Sequence, residues 1–331
     1  MNERPQIIDS HFHLNLDGMD LDKIIGEIEK VRSATGIETI SIACLPPPLW
    51  HYADLRQIPA AFKLKTAHPD KTYVFAALDY TAAGALEGKA DFAGQAKKLF
   101  AMGVDGFKML EGKPTTRKIL KIPMDSPAYD NFYKYLEDKS LPLLAHVADP
   151  AICWNAEKIP WYFRKNEYCC YIDGTYPSFD EFRNEALNVA RRYQGLKLTL
   201  AHFFFASGDI DKAAELLESY PNIAFDLTPN HDMYLDFSAK PDEWRDFFVR
   251  FGSRILFGTD NCLGAGMNEA SFKHIKDKVD FMRRFLDTDE EIFIDIAGTA
   301  HQILGLKLPP GTLAKIYSKN YLSRLCPKLH R

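Results

Sequence analysis

An apolar run of strand length recurs eight times along the chain, and most of the gaps between runs hold a stretch with helical spacing. Few architectures accept that alternation. The runs are 6–10, 38–45, 72–78, 104–109, 141–145, 197–201, 222–227 and 254–258, all rich in Val, Ile, Leu and Phe. Leu21, Ile24, Ile25, Ile28 and Val31, and again Ile210, Ala213, Ala214 and Leu217, each lay one apolar face on a sheet. Runs such as TISIAC, YVFAAL and RILFG are continuously apolar, as parallel strands buried on both faces require. The expectation is an α/β chain closed into a (β/α)8 TIM barrel. A doubly wound open sheet is the rival, but its first turn carries a Gly-rich phosphate loop. Here the first run leads into Asp9-Ser10-His11-Phe12-His13 instead.

At 331 residues the chain has about twice the usual domain length, which suits one large barrel, and no linker cuts it. We therefore expect a single barrel domain over 1–331. Two departures from even spacing stand out. The stretch 147–195 is longer than one crossover and holds Trp154, Trp161, Tyr162, Phe163, Tyr168, Tyr171, Tyr176 and the vicinal Cys169-Cys170. As an insertion after strand 5 it is expected to overhang the C-terminal mouth. Beyond strand 8, extra C-terminal helices are expected over 269–286, 290–304 and 312–325, packed on the outside.

Composition narrows the function classes. With 46% apolar residues and a net charge of -4, the chain builds a large core and offers no basic stripe for a nucleic-acid backbone. No apolar run reaches the roughly 18 residues of a membrane helix, and the first residues show no basic leader with an apolar stretch behind it. A cytoplasmic protein is expected, with a small molecule as substrate, a carboxylate among the candidates, and copies of itself as the remaining partner class. Six scattered cysteines without a CxxC pair read as reduced packing residues.

A buried parallel strand has no structural use for an ionisable residue at its last position, yet five of these strands carry one. His11 and His13 end strand 1; Lys108 lies in strand 4; His146, His202 and Asp260 end strands 5, 6 and 8. His11 and His13 stand two apart, so in an extended chain both imidazoles leave the same face and converge on one ion. Asp260 follows a fully apolar strand, where a carboxylate must be paired, coordinated or neutralised; it is also placed to accept a proton from water. With His146 and His202 these residues supply the N and O donors taken by zinc or a similar divalent ion. Arg164 and Lys165 are candidates to meet an anionic substrate, and Trp154 and Trp161 to cover it. His51, Asp226 and His231 follow strands 2 and 7 and face the correct end. His68, His274, His301 and His330 are expected at the surface.

The order His-x-His on strand 1, His on strands 5 and 6 and Asp on strand 8 resembles the amidohydrolase superfamily. The segments IIDSHFHLN, LLAHVADP, LTLAHF and ILFGTDN are similar to its amidohydrolase-related branch. The resemblance implies a metal-dependent barrel enzyme that hydrolyses C–N, C–O or P–O bonds, with some members that decarboxylate or hydrate. It implies metal ligation by His11, His13, His146 and Asp260, with His202 either joining at a second metal or polarising the substrate. Lys108 is either carboxylated, bridging two ions, or a free amine that pairs with substrate or a carboxylate; carboxylation and a second ion go together. The reading drawn from this is a hydrolase that uses one or two Zn2+ ions on an amide, ester or lactone-type bond. Asp260 relays the proton and His202 stabilises developing charge. A decarboxylase on the same site and a non-catalytic ligand-binding barrel are the alternatives.

Overall fold

The sheet curls until its last strand meets its first. In this computed structural model, which describes residues 6–230, 232–296 and 298–325, the strands are β1 (Ile8–Leu14), β2 (Thr39–Ala43), β3 (Thr72–Ala76), β4 (Gly106–Gly112), β5 (Leu143–Val147), β6 (Leu198–Leu200), β7 (Ile223–Asp226), β8 (Ile255–Leu256) and β9 (Asn261–Leu263). Every neighbouring pair is parallel. β8 and β9 are halves of one broken strand: β8 pairs with β7, and β9 pairs with β1. The Ser10 amide donates to Phe257 O at 3.0 Å and the Asp260 amide to His11 O at 2.8 Å, bridging the break. The fold is a TIM barrel, closed by its eighth strand. Gly258 permits the closure, since a Cβ there would lie 3.0 Å from His11 Cβ and 3.0 Å from Ser10 Oγ.

The connecting helices bury the faces read from spacing. Ile24–Thr35 buries Ile24, Ile28 and Val31 against the sheet, and Ile210–Ser219 buries Ala213, Leu216 and Leu217 behind an Asp209 cap on Lys212 N. On β4 the alternation sorts the layers. Phe107 packs edge-on against Phe132 at 5.5 Å and Met109 takes a hydrogen bond from Tyr133, both on the outer helix 130–139. Lys108, between them, faces the barrel interior.

The insertion after β5 does reach over the mouth. Its Tyr168 packs on Trp50 at 5.1 Å and His51 at 5.2 Å, residues of the loop after β2. The helix Phe179–Arg192, opened by a Ser178–Glu181 capping box, then returns the chain to β6.

Two C-terminal expectations are corrected. The helix expected over 290–304 is an antiparallel hairpin, β10 (Glu291–Ile296) with β11 (Thr299–Leu304). Its burial has period two, with Ile292 and Ile303 in the core while Glu291 and Phe293 stand exposed. The β-branched Ile292, Ile294 and Ile296 suit that pleat better than a helix, and Gly298 turns the chain at φ 84°. The helical segment 310–324 does not simply lie outside. Its Tyr321, with Leu325 beyond it, joins Ile8, Phe75 and Leu144 in one cluster, plugging the barrel at the strands' N-terminal end. Glu269–Asp287 is helical as expected. Among the described residues no helix is long and apolar enough to cross a membrane. Cys44, Cys153, Cys169, Cys170 and Cys262 are free thiols, and Cys326 lies outside the described residues.

Candidate metal centre

The C-terminal ends of β1, β4, β5, β6 and β7 and the β8–β9 break bring ionisable side chains to one end of the barrel. His11 and His13, both on β1, project to the same face and place their Nε2 atoms 3.0 Å apart. The other nitrogen of each ring is already committed. His13 Nδ1 lies 2.6 Å from Ala43 O, and a carbonyl only accepts, so Nδ1 carries the proton. His11 Nδ1 lies 2.9 Å from Asp226 Oδ2. Burial raises the Asp226 carboxyl, but bonds from His11 and Thr228 outweigh it and hold it at about 2, so it accepts as well. Both Nε2 atoms therefore present lone pairs to each other.

Asp260 completes the group. Its Oδ1 is 3.1 Å from His13 Nε2 and 3.7 Å from His11 Nε2, and His11, His13 and Asp260 each offer one donor atom within 4.8 Å of the others. The residue adopts φ 53° at the strand break, a left-handed conformation that breaks the ladder there. Its side chain remains 37% exposed, the others of the group being buried. Burial raises the Asp260 carboxyl, but the His13, His11 and His202 side chains prevail and set it well below the carboxylate range. Two lone pairs and a carboxylate at these distances repel unless a cation lies among them, and the Lys108 amine meets His11 Nε2 alone of the three groups. A proton is a poor candidate on His11, whose pKa burial and Lys108 push down to about 4 against the pull of Asp226.

Lys108 reaches the group from β4, with Nζ 3.0 Å from His11 Nε2. Burial lowers its pKa to about 8, the carboxylates of Asp260, Asp226 and Glu111 opposing it. His202 follows β6 on a left-handed turn in which His202, Phe203, Phe204 and Phe205 all have φ between 50° and 56°. Such residues cost roughly 1–2 kcal/mol each. Phe203 and Phe204 offset this by packing on Phe225, and Phe203 also on Phe237 and Trp244. The turn aims His202 inward, its ring stacked on Phe205 at 5.5 Å and its Nε2 3.9 Å from Asp260 Oδ2. Its Nδ1 is buried without a hydrogen-bond partner. An orphaned lone pair is cheaper there than an orphaned N–H, which leaves the proton on Nε2, facing the site.

His146 stands one ring further out. Its Nδ1 is 3.1 Å from His202 Nε2 and its Nε2 is 3.2 Å from Asp149 Oδ1, so it borders the His11–His13–Asp260 group without belonging to it in this geometry. Of the other candidates, Asp226 serves His11 rather than the mouth. Trp154 is a packing residue, donating to Pro177 O at 2.9 Å and lying on Tyr171. Trp161 is 63% exposed with Lys165 over its ring, and Arg164 bonds Ala156 O within the insertion. His274 is exposed, while His68 and His301 are half-buried; His231 and His330 lie outside the described residues. Sequence reading missed Asp149, Lys113 and Thr228. Only Asp149 had a signal, as an acid three residues beyond His146.

With this geometry in view, comparison with known proteins is decisive. A family model described as Amidohydrolase, of the Amidohydro_2 type, matches residues 8–320. The chain belongs to the amidohydrolase family. It is accordingly an enzyme of that superfamily, whose members work with divalent metal. No curated protein matches the sequence. Solved structures do match. An uncharacterised TIM-barrel protein from Bordetella bronchiseptica superimposes with a TM-score of 0.58 at 14% identity, over 98% of this amidohydrolase and 100% of that chain. The 5-carboxyvanillate decarboxylase LigW from Sphingomonas paucimobilis gives 0.54 at 13% identity, over 97% and 99%. A dihydroxybenzoic acid decarboxylase from Polaromonas sp. JS666, with bound manganese and an inhibitor, gives 0.53 at 14% identity, over 99% and 98%. At such identities the likeness is one of fold. The donor set of this amidohydrolase fits the family's metal on its own terms, because facing imidazole lone pairs beside a carboxylate are what a divalent ion of borderline hardness takes.

Proposed function

We propose that this amidohydrolase-family enzyme is a metal-dependent hydrolase of a small molecule bearing an amide, ester or lactone-type bond. His11, His13 and Asp260 would hold one divalent ion, Zn2+ first among those the donors suit, with His146, one ring further out beyond His202, as a further ligand. An ion there supplies Lewis acidity, making hydroxide available at neutral pH and polarising the scissile carbonyl.

One observation carries the reading: the Asp260 carboxylate lies between the His11–His13 pair and His202 while remaining open to the mouth. From there it takes the proton of the attacking water and hands it to the leaving group. The Nε2–H of His202, which faces His146 Nδ1 at 3.1 Å in this structure, turns to donate to the oxygen that gains charge as the carbonyl becomes tetrahedral. Asp226 fixes the ring of His11, and its Oδ1 accepts from the His202 amide at 2.8 Å, so one carboxylate sets two of the working imidazoles. Lys108 acts as a free amine beside His11, within reach of an acidic substrate; two ions per chain would instead mark it as carboxylated.

A decarboxylase is the second reading, favoured by the wall of Trp50, His51 and Tyr168 at the mouth. A planar acid suits that wall, and two of the similar folds are named as decarboxylases of such acids. Turnover of a panel of amides, esters, lactones and aromatic acids in 18O-enriched water separates the two. Hydrolysis places 18O in the product carboxylate; decarboxylation releases carbon dioxide and leaves the product unlabelled. Asp260→Asn is expected to lose at least a hundredfold in kcat with its fold intact, and an unchanged rate would remove Asp260 from the proton path.

A further inference from the structure

Asp149 has no part in the chemistry above, yet its carboxylate is as heavily bonded as that of Asp226. It is buried, two residues beyond the end of β5. Lys113 Nζ donates to each of its oxygens at 2.7 Å, Tyr171 donates its hydroxyl to Oδ2 at 2.5 Å, and His146 Nε2 lies 3.2 Å from Oδ1. These donors come from three places: the turn after β4, the insertion and β5 itself. With an ammonium donating to both oxygens and a hydroxyl donating to one, the carboxyl has donors on every side and stands ionised.

An ionised carboxylate only accepts, so the proton of the facing imidazole sits on His146 Nε2. The lone pair is then on Nδ1, across the ring, where it meets His202 Nε2 at 3.1 Å on the interior side. Were the proton on Nδ1 instead, it would face the Nε2–H of His202, and Nε2 would turn a lone pair on Asp149.

We propose that Asp149 is a positioning residue that locks His146 as the Nε2–H tautomer with its Nδ1 lone pair on the interior side, against the Nε2–H of His202, and that Lys113 and Tyr171 brace Asp149 for that task. The proposal rests on the metal-centre reading for its purpose and on hydrogen bonding alone for the tautomer. It also gives the insertion a function: through Tyr171, a segment overhanging the mouth is bonded to the carboxylate that orients a ring inside it.

Two measurements test this. In the metal-stripped wild-type protein, long-range 1H–15N NMR, with His146 assigned from the His146→Asn spectrum, is expected to show Nε2 protonated and Nδ1 bare. A protonated Nδ1 overturns the proposal. Zn2+ affinity is then compared, by competition with a chromophoric chelator, between wild type and Lys113→Met/Asp149→Leu. That double variant removes the ion pair as a unit and strands no buried ammonium. Its affinity is expected to fall about 10–100-fold, the usual cost of losing a partner behind a ligand, with His146 populating both tautomers. Affinity within twofold of wild type and an unchanged tautomer overturn it. Should the double variant not fold, the wild-type tautomer decides alone. Wild-type protein that binds no Zn2+ sinks the metal reading, and the tautomer result then stands or falls by itself.

Discussion

At the residue scale, the site is built from pairs in which one buried group dictates the state of another. Asp226 shows the pattern: ionised at the end of β7, it sets the tautomer of His11. Asp226→Asn is expected to weaken metal binding about 10–100-fold, read by chelator competition, while Asp226→Glu restores part of the loss; equal affinities in all three proteins would contradict the role. Glu111 makes a different case. It points outward from β4 into the helix layer, where Tyr80 donates to Oε1 at 2.7 Å and Oε2 has no partner. Burial raises its pKa from 4.5 to about 7, the bond from Tyr80 opposing the shift. A folded-state pKa above the unfolded one means that its contribution to stability is complete below pH 4.5 and is lost as pH rises through 7. Glu111→Gln keeps the Tyr80 bond and abolishes the titration. The stability difference, variant minus wild type, should therefore grow by on the order of 3 kcal/mol between pH 4 and 8 in denaturant melts. A flat difference would show that Glu111 titrates normally. The strand-end His and Asp were visible in sequence because ionisable groups are conspicuous after apolar runs. Their partners were not, since Lys113 and Asp149, 36 residues apart, meet only once β4 and β5 are paired.

At the element scale, the eight strands were legible because continuous apolar runs have one stable destination in an α/β chain, a parallel strand covered on both faces. The β10–β11 hairpin was not, since short apolar runs fit period 3.6 almost as well as period two, and its Ile-rich composition decided the outcome. Its two faces should differ sharply in mutational cost. Ile292, only 3% exposed, is expected to cost about 2–5 kcal/mol on truncation to Ala. Phe293, 70% exposed, should stay within about 0.5 kcal/mol on substitution by Ser. Thermal or denaturant unfolding checks both, and equal costs would contradict the assigned register. The left-handed turn at 202–205 was equally invisible, because nothing in the run His-Phe-Phe-Phe announces positive φ where glycine or asparagine is usual. Its cost is offset only by the aromatic packing of Phe203 and Phe204, which ties the aim of His202 to the core beneath it.

At the scale of the whole molecule, closure and chemistry share one feature. The eighth strand breaks at Asp260, and that break both lets β9 return to β1 and turns a carboxylate toward the two imidazoles of β1. The cylinder therefore assembles its donors only when it closes, and a metal bound there binds the folded state alone. Chelation should lower the melting temperature, and re-addition of Zn2+ should restore it in a concentration-dependent way. If His11, His13 and Asp260 hold a divalent ion, elemental analysis of protein purified without chelator will find it. About one ion per wild-type chain, lost in His13→Ala, is the predicted result; no metal above background, or the same content in the variant, would contradict it.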